Sequence, residues 1–361
     1  MLGHTLWDMD EQTLGKHFVL KEYLNGWFPI LGRWNSRIVF IDGFAGPGQY
    51  RGGEPGSPMI ALDAIDQHSN SANLQGTEVV CIFIEESKDR ADFLRSLLGK
   101  RGSSETVKTS VLDGTFSDHM TEMLDYIDEQ NLRLAPAFVM IDPFGVKGSS
   151  MDVIERILAN AKSECLISFM YEPIRRFHAQ PEFETPLTEL FGTDDWKECL
   201  AMAESREKKR FLHDLFRSSL KSRGAKYVLP FELWRGGRHV YTLYFATNHE
   251  KGCNLMKQAI WKVVPDGSFE FRGHNRLQGV LFGPDVDTDP LAAQLKERFG
   301  GHTIPIETIE NFVMTDETIF HTGHLRQKTL QPLERAGLVQ VNRPSGGRGF
   351  ANGRKITVRF T

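Results

Sequence analysis

Four strand-like runs, each closing on an acid, constrain this chain more than any other feature. They are RIVFID (37–42), EVVCIFIEE (78–86), VKTSVLD (107–113) and APAFVMID (135–142). Segments with helical spacing separate them, including PMIALDAIDQH, DRADFLRSLLG, SDHMTEMLDYIDEQ and MDVIERILANA, and ECLISFMYEP adds a fifth strand. Strands alternating with helices build an α/β parallel sheet. Such strands are buried on both faces and read as continuous apolar runs. Ligands bind beyond the carboxyl ends of strands in open α/β sheets. Asp42, Glu85, Glu86, Asp113 and Asp142 all fall there. Any one of them could instead cap the following helix. Their recurrence at one topological position favours a cofactor.

The rest of the chain divides by composition. Residues 11–31 have helical spacing, and residues about 173–225 read as a charged helical insertion with cations at Arg175 and Arg176. AKYVLPFELW and HVYTLYFATN follow, separated by a short stretch containing Gly236 and Gly237, which suits an antiparallel hairpin. GPDVDTDP (283–290) reads as a linker. The expected domains are therefore 1–285 and 286–361. In the second, three helix patterns (LAAQLKERF, PIETIENFVM and HLRQKTLQPLERAG) precede LVQV, a glycine-rich loop and RKITVRF. That order reads as a winged helix-turn-helix. Its third helix, about 321–336, would offer His324, Arg326, Gln327 and Lys328 to a major groove. Arg343, Arg348, Arg354, Lys355 and Arg359 follow with no acid among them, a pattern suited to phosphate contact. A solvated wing or a protein-binding winged helix would show the same pattern.

The first strand runs into DGFAGPGQY, with Gly43, Gly46 and Gly48 close behind Asp42. Glycines there permit a tight turn and close backbone approach to a ligand. No GK[ST] follows, which argues against a triphosphate loop, and the spacing is GxxGxG rather than the GxGxxG of dinucleotide folds. The segment resembles the (D/E)-x-F-x-G-x-G pattern of enzymes that use S-adenosylmethionine (SAM), Phe44 included. The cationic sulfonium and ammonium of SAM suit strand-end acids. Glu85 or Glu86 would take the ribose hydroxyls and Asp113 would face the adenine side. The insertion QYRGGEPGSP reads as an extension over the cofactor, bringing Tyr50 and Arg51 near its reactive end. A hairpin finishing a parallel sheet is also how Rossmann-like SAM-dependent methyltransferases end their domain.

At the end of the fourth strand, Asp142-Pro143-Phe144-Gly145 resembles the (D/N)PP(Y/F) motif of methyltransferases that modify amino groups on bases. There the acid or amide and a backbone carbonyl hold the target amine, and the aromatic stacks on an extruded base. Here the aromatic stands one position early. A plain strand-to-helix turn would also read DPFG.

Composition narrows the remaining classes. The chain has 361 residues and a net charge of -4, so any nucleic-acid surface is local rather than global. No apolar run approaches the ~20 residues needed to span a bilayer, and no basic-then-apolar leader opens the chain, so a cytoplasmic home is expected. Cys81, Cys165, Cys199 and Cys253 are far apart, and no CxxC, HxxxH or HExxH occurs, so neither a disulfide framework nor a local metal site is expected.

Taken together, RIVFIDGFAGPGQYRGGEPGSPMIAL, CIFIEES, FVMIDPFGVKG, VYTLYFATNHEKGCNLMKQAIWKV and GKHFVLKEYLNGWFPIL resemble the three-Cys-motif partner (TcmP) family. That resemblance implies a bacterial protein with a methyltransferase-like domain, working with a three-cysteine protein of radical-SAM type. Function then reads as SAM-dependent methyl transfer to nucleic acid, with cofactor residues Asp42, Gly43, Phe44, Gly46, Gly48, Glu85, Glu86 and Asp113. Asp142, Pro143 and Phe144 would hold the acceptor. The alternatives are a non-catalytic nucleic-acid or protein adaptor and a metal-dependent nuclease built on the strand-end acids.

Overall fold

The computed structural model describes residues 5–68, 74–102, 105–273, 286–344, 346, 349–350 and 355–361. A long helix, α1 (Glu11–Gly32), opens the fold, started by Asp10, whose carboxylate accepts the Thr13 N–H at 2.8 Å. The alternation follows: β1 (Arg37–Asp42), α2 (Ser57–His68), β2 (Glu78–Glu85), α3 (Lys88–Arg101), β3 (Val107–Asp113), α4 (Phe116–Glu129), β4 (Ala137–Ile141), α5 (Met151–Leu158) and β5 (Glu164–Phe169). The expected helical insertion is α6 (Tyr171–Phe177), α7 (Glu184–Phe191) and α8 (Ser205–Ser222), with short 3-10 turns between them. The expected hairpin is β6 (Tyr227–Arg235) and β7 (Arg238–Thr247), followed by α9 (Glu250–Val263) and a two-residue β8 (Glu270–Phe271).

The eight strands lie in the order β3-β2-β1-β4-β5-β7-β6-β8. β1 to β5 pair in parallel, and β7 runs antiparallel to both β5 and β6. This is the Rossmann-like, hairpin-terminated sheet of the methyltransferase fold. Its register places Asp42 beside Met140, and Ser168 beside Thr242's neighbour Leu243. β1 has β2 on one side and β4 on the other, with the chain spreading outward in both directions, so β1/β4 is the topological switch point.

Alternate residues of each central strand enter different cores. Phe40 and Phe138 stack at 5.9 Å in the core that α1 and α9 cover, whereas Val39, Ile41 and Val139 belong to the core under α4, α5 and α8. Two covered faces are why the strands are apolar throughout.

The C-terminal unit comprises α10 (Asp289–Phe299), β9 (Thr303–Pro305), α11 (Ile306–Met314), α12 (Thr322–His324), a π-helical turn (Leu325–Leu330), α13 (Gln331–Arg335), β10 (Val339–Asn342) and β11 (Thr357–Phe360). β11 pairs antiparallel with β10 and β9. Its core residues Leu291, Ile309, Leu325 and Val358 join the α1/α9 core. Lys257 of α9 is fully buried at that junction and donates to the Val313, Thr315 and Thr318 carbonyls at 2.5, 2.7 and 3.1 Å. Trp261 donates to the Ile319 carbonyl at 2.8 Å.

Candidate functional site

A pocket of about 180 Å³ opens at the carboxyl ends of β1 and β4, lined by Trp7, Lys16, His17, residues 44–50, Ser57, Asp142 and Phe144 among others. The glycine turn forms its floor. Gly46 and Gly48 take φ of +61° and +78°, a region that L side chains rarely enter. Gly56 packs so close that an added Cβ would lie 2.9 Å from the Gly48 carbonyl carbon. Phe44 leaves the turn sideways and meets Phe116 at 5.7 Å.

The two acids of the switch point face opposite electrostatics. Asp42 is fully buried; Oδ1 accepts the Phe44 N–H at 3.2 Å, and the Ser57 hydroxyl stands beside the carboxylate. Burial pushes its carboxyl up to about 6, against the Ser57 hydroxyl, the Phe44 N–H and Lys16, with Asp142 adding to the rise. Asp142 also lies in a desolvating site, but it is paired with the Lys16 ammonium and accepts the Ser168 hydroxyl. These partners outweigh burial and hold it below the usual carboxylate range. His17 is neutral, pushed down to about 3 by burial and by Lys16. Its ring stands 5.7 Å from that of Tyr50.

Glu85 faces inward. One carboxylate oxygen accepts the Gly46 N–H at 2.9 Å, and the other accepts the Ser87 N–H at 2.8 Å and pairs with Arg90 at 2.6 Å. It braces the glycine turn. Glu86 is exposed, and Asp113 is paired with Arg95. Pro143 is buried, and Phe144 is 74% exposed with its ring 5.3 Å from Trp7. Phe44, Gly46, Gly48, Asp142 and Phe144 line this pocket, whereas Asp42, Gly43 and Glu85 are buried beside it. Glu86 and Asp113 stand at the neighbouring strand ends.

Lys16 and Trp7 were not anticipated. Lys16 sits on the buried face of α1 with Gln12, Leu20 and Tyr23, and a lysine on such a stripe signals a buried anionic partner. Trp7 carried no comparable signal.

Along the same sheet edge, a groove of mixed charge and about 870 Å³ runs between α8 and the β6–β7 hairpin, with Arg206, Lys209 and Arg210 alongside Glu204, Glu207 and Asp214 among its lining residues. A second depression of about 320 Å³ shares Arg217, Pro230 and Glu232 with it and continues to residues 316–319 of the C-terminal unit. The Trp234 ring lies between Lys209 and Arg272, at 5.5 and 4.2 Å. Arg175 and Arg176 are exposed on α6, Arg175 paired with Glu172 at 2.9 Å.

The C-terminal cations differ in availability. Arg326 is paired with Glu310, and Arg343 makes a two-pronged pair with Glu334, both bonds 2.6 Å. Lys328, Lys355 and Arg359 are exposed. Arg348 and Arg354 lie outside the described residues. All four cysteines are buried free thiols. Among the described residues, no group of three or more His, Cys, Asp and Glu is placed to hold a metal. No helix among them is long and apolar enough to cross a membrane.

The strand order and the glycine turn at its switch point define a protein with the Rossmann-like methyltransferase fold. No known family's sequence profile matches the chain, and no curated protein matches it. Among solved structures it is similar to the O-methyltransferase from Bacillus cereus in complex with SAH, at 14% identity over 63% of this chain and 80% of that one, with a TM-score of 0.35. It is similar to Trm1 from Pyrococcus horikoshii with S-adenosyl-L-methionine, at 12% identity over 68% and 57%, TM-score 0.36. It is also similar to the O-methyltransferase TomG from Streptomyces achromogenes with SAM, at 14% over 69% and 94%, TM-score 0.34. The fold rests on the strand order, not on these pairings.

Proposed function

We propose that this chain is a SAM-dependent methyltransferase acting on nucleic acid. One observation carries the reading: a glycine turn with Gly46 and Gly48 at positive φ, beside the fully buried Asp42 carboxylate, at the switch point of this sheet. The residues fit the cofactor. The turn would let a nucleoside approach the backbone, and the buried Asp42 carboxylate places negative charge behind it. Asp42, Gly43, Phe44, Gly46 and Gly48 would hold it, with Glu86 and Asp113 toward the ribose and adenine and Glu85 bracing the turn. Bound there, SAM supplies an electrophilic methyl group.

The chain's own contribution is positioning. Lys16 and Ser168 fix the Asp142 carboxylate, so that it stays ionised and oriented toward an acceptor group. Phe144 offers an exposed ring on which a flat acceptor can stack. Holding donor and acceptor in line converts binding into rate. Arg175, Arg176 and the α8–hairpin groove would take the substrate backbone, and the groove leads toward the C-terminal unit. Read as a winged helix, that unit adds Lys328, Lys355 and Arg359 as phosphate contacts. The resemblance to three-Cys-motif partner proteins adds a partner carrying the three-cysteine motif.

An adaptor reading has one observation in its favour: Glu85, Asp113 and Asp142 already carry partners from their own chain. The test is transfer of tritiated methyl from SAM to DNA and to RNA. Label in one polymer, reduced about 100-fold or more by Asp142→Ala, is the expected result. Tight nucleic-acid binding with no transfer to either polymer would favour the adaptor.

A further inference from the structure

The site's own N-terminal segment lies across it. Trp7 rests on the glycine turn, where a Cβ added to Gly46 would stand 3.1 Å from its ring. Its indole is flanked by the Arg90 guanidinium at 5.1 Å and the Phe144 ring at 5.3 Å. The segment is tied to the insertion after the glycines. The Trp7 carbonyl accepts the Arg51 N–H at 2.8 Å, and the Arg51 guanidinium reaches Asp8 at 2.9 Å and the Leu6 carbonyl at 3.1 Å. The insertion is itself closed by Tyr50 N–H to the Glu54 carbonyl at 2.9 Å and by a bridge from Gln49 to Pro55. With the segment in place the cavity is about 180 Å³, whereas small-molecule sites typically need about 300–1,000 Å³.

We propose that residues 5–9 are a self-occluding strap: Trp7 fills the flat subsite over the glycine turn, and a nucleoside cofactor enters only when the strap swings away. This rests on the methyltransferase reading for the identity of the cofactor. The strap's fastenings are few and exposed, as a reversible cover requires. The Arg51–Asp8 pair is solvated and contributes little, so the indole's packing and the two hydrogen bonds from Arg51 to the Trp7 and Leu6 carbonyls hold it. The strap leads directly into Asp10, which caps α1 two turns before Lys16. Its release therefore acts on the helix that holds Asp142. The insertion QYRGGEPGSP, read from sequence as an extension over the cofactor, serves here as the strap's anchor.

Calorimetric titration with S-adenosylhomocysteine of the wild-type chain, Trp7→Ala and Arg51→Ala provides the test. A strap closed in about nine molecules of ten lowers apparent affinity about tenfold, so both variants should bind about tenfold more tightly. Hydrogen exchange without ligand should show the Arg51 amide protected in the wild type and exchanging up to about tenfold faster in Trp7→Ala. Weaker binding by Trp7→Ala would make the indole a wall of the pocket and overturn the strap, as would an unchanged Arg51 amide. No binding by wild type or either variant would instead overturn the methyltransferase reading, and the exchange result would still judge whether the strap is seated.

Discussion

Asp42 and Asp142 stand at the ends of adjacent strands, yet burial governs the first and a lysine the second. Asp42 holds its proton more tightly in the fold than in the unfolded chain, where a carboxyl titrates near 3.8 and the folded one near 6. The stability that this contributes is present at acid pH and is lost as pH rises through that window. At pH 8 the folded chain therefore carries a desolvated charge. Asp42→Asn removes it and should raise stability at pH 8 by roughly 1–3 kcal/mol, measured by urea denaturation. The same variant should lose affinity for a cationic ligand. Wild-type affinity should fall as pH drops below about 6, where Asp42 becomes neutral. Affinity unchanged between pH 5 and pH 8 would show that Asp42 does not face the ligand's charge. Asp142 has the opposite sign: its folded value is depressed, so its contribution is present above the ordinary carboxylate range and disappears as pH falls below it.

At the scale of elements, the strands of the sheet were readable because each has two buried faces and ends where an acid must meet solvent or ligand. The hairpin β6–β7 was readable from its glycines, and Asp42, Gly46, Gly48 and Asp142 from their places after strands. The burial of Glu85 was not, because Glu85 and Glu86 are adjacent acids and only the pleat decides which turns inward to the Gly46 N–H. Lys16 reaches Asp142 across 126 positions, a contact that local spacing does not encode. Trp7 precedes the first helix, with no periodicity to place it. The C-terminal unit's mounting on α9 was likewise unreadable, since Lys257 looks like any helical lysine. In the fold, burial brings its ammonium down to about 8 while three carbonyls hold it. Lys257→Met leaves those carbonyls without their donor and should destabilise the chain by about 2–3 kcal/mol in a denaturant melt. A loss below about 0.5 kcal/mol would mean that apolar packing alone seats the unit.

At the scale of the whole molecule, glycine turn, Asp142 carboxylate, groove and C-terminal unit are arranged in sequence along one side of the sheet. β4 ends at Asp142, β5 at the α6 arginines, and the hairpin at the groove that continues to residues 316–319. On the proposed function, a net charge of -4 over the chain leaves the binding of a polyanion to local cations, among them the exposed Lys328, Lys355 and Arg359. The central claim is that the switch point of this sheet receives SAM. A crystal structure of the chain grown with saturating S-adenosylhomocysteine tests it most directly. Expected are the ligand over Gly46 and Gly48, its ammonium end toward Asp42, and the Trp7 ring displaced from the turn. A glycine turn still covered by Trp7, with the ligand absent or lodged in the groove beside His213, would contradict it.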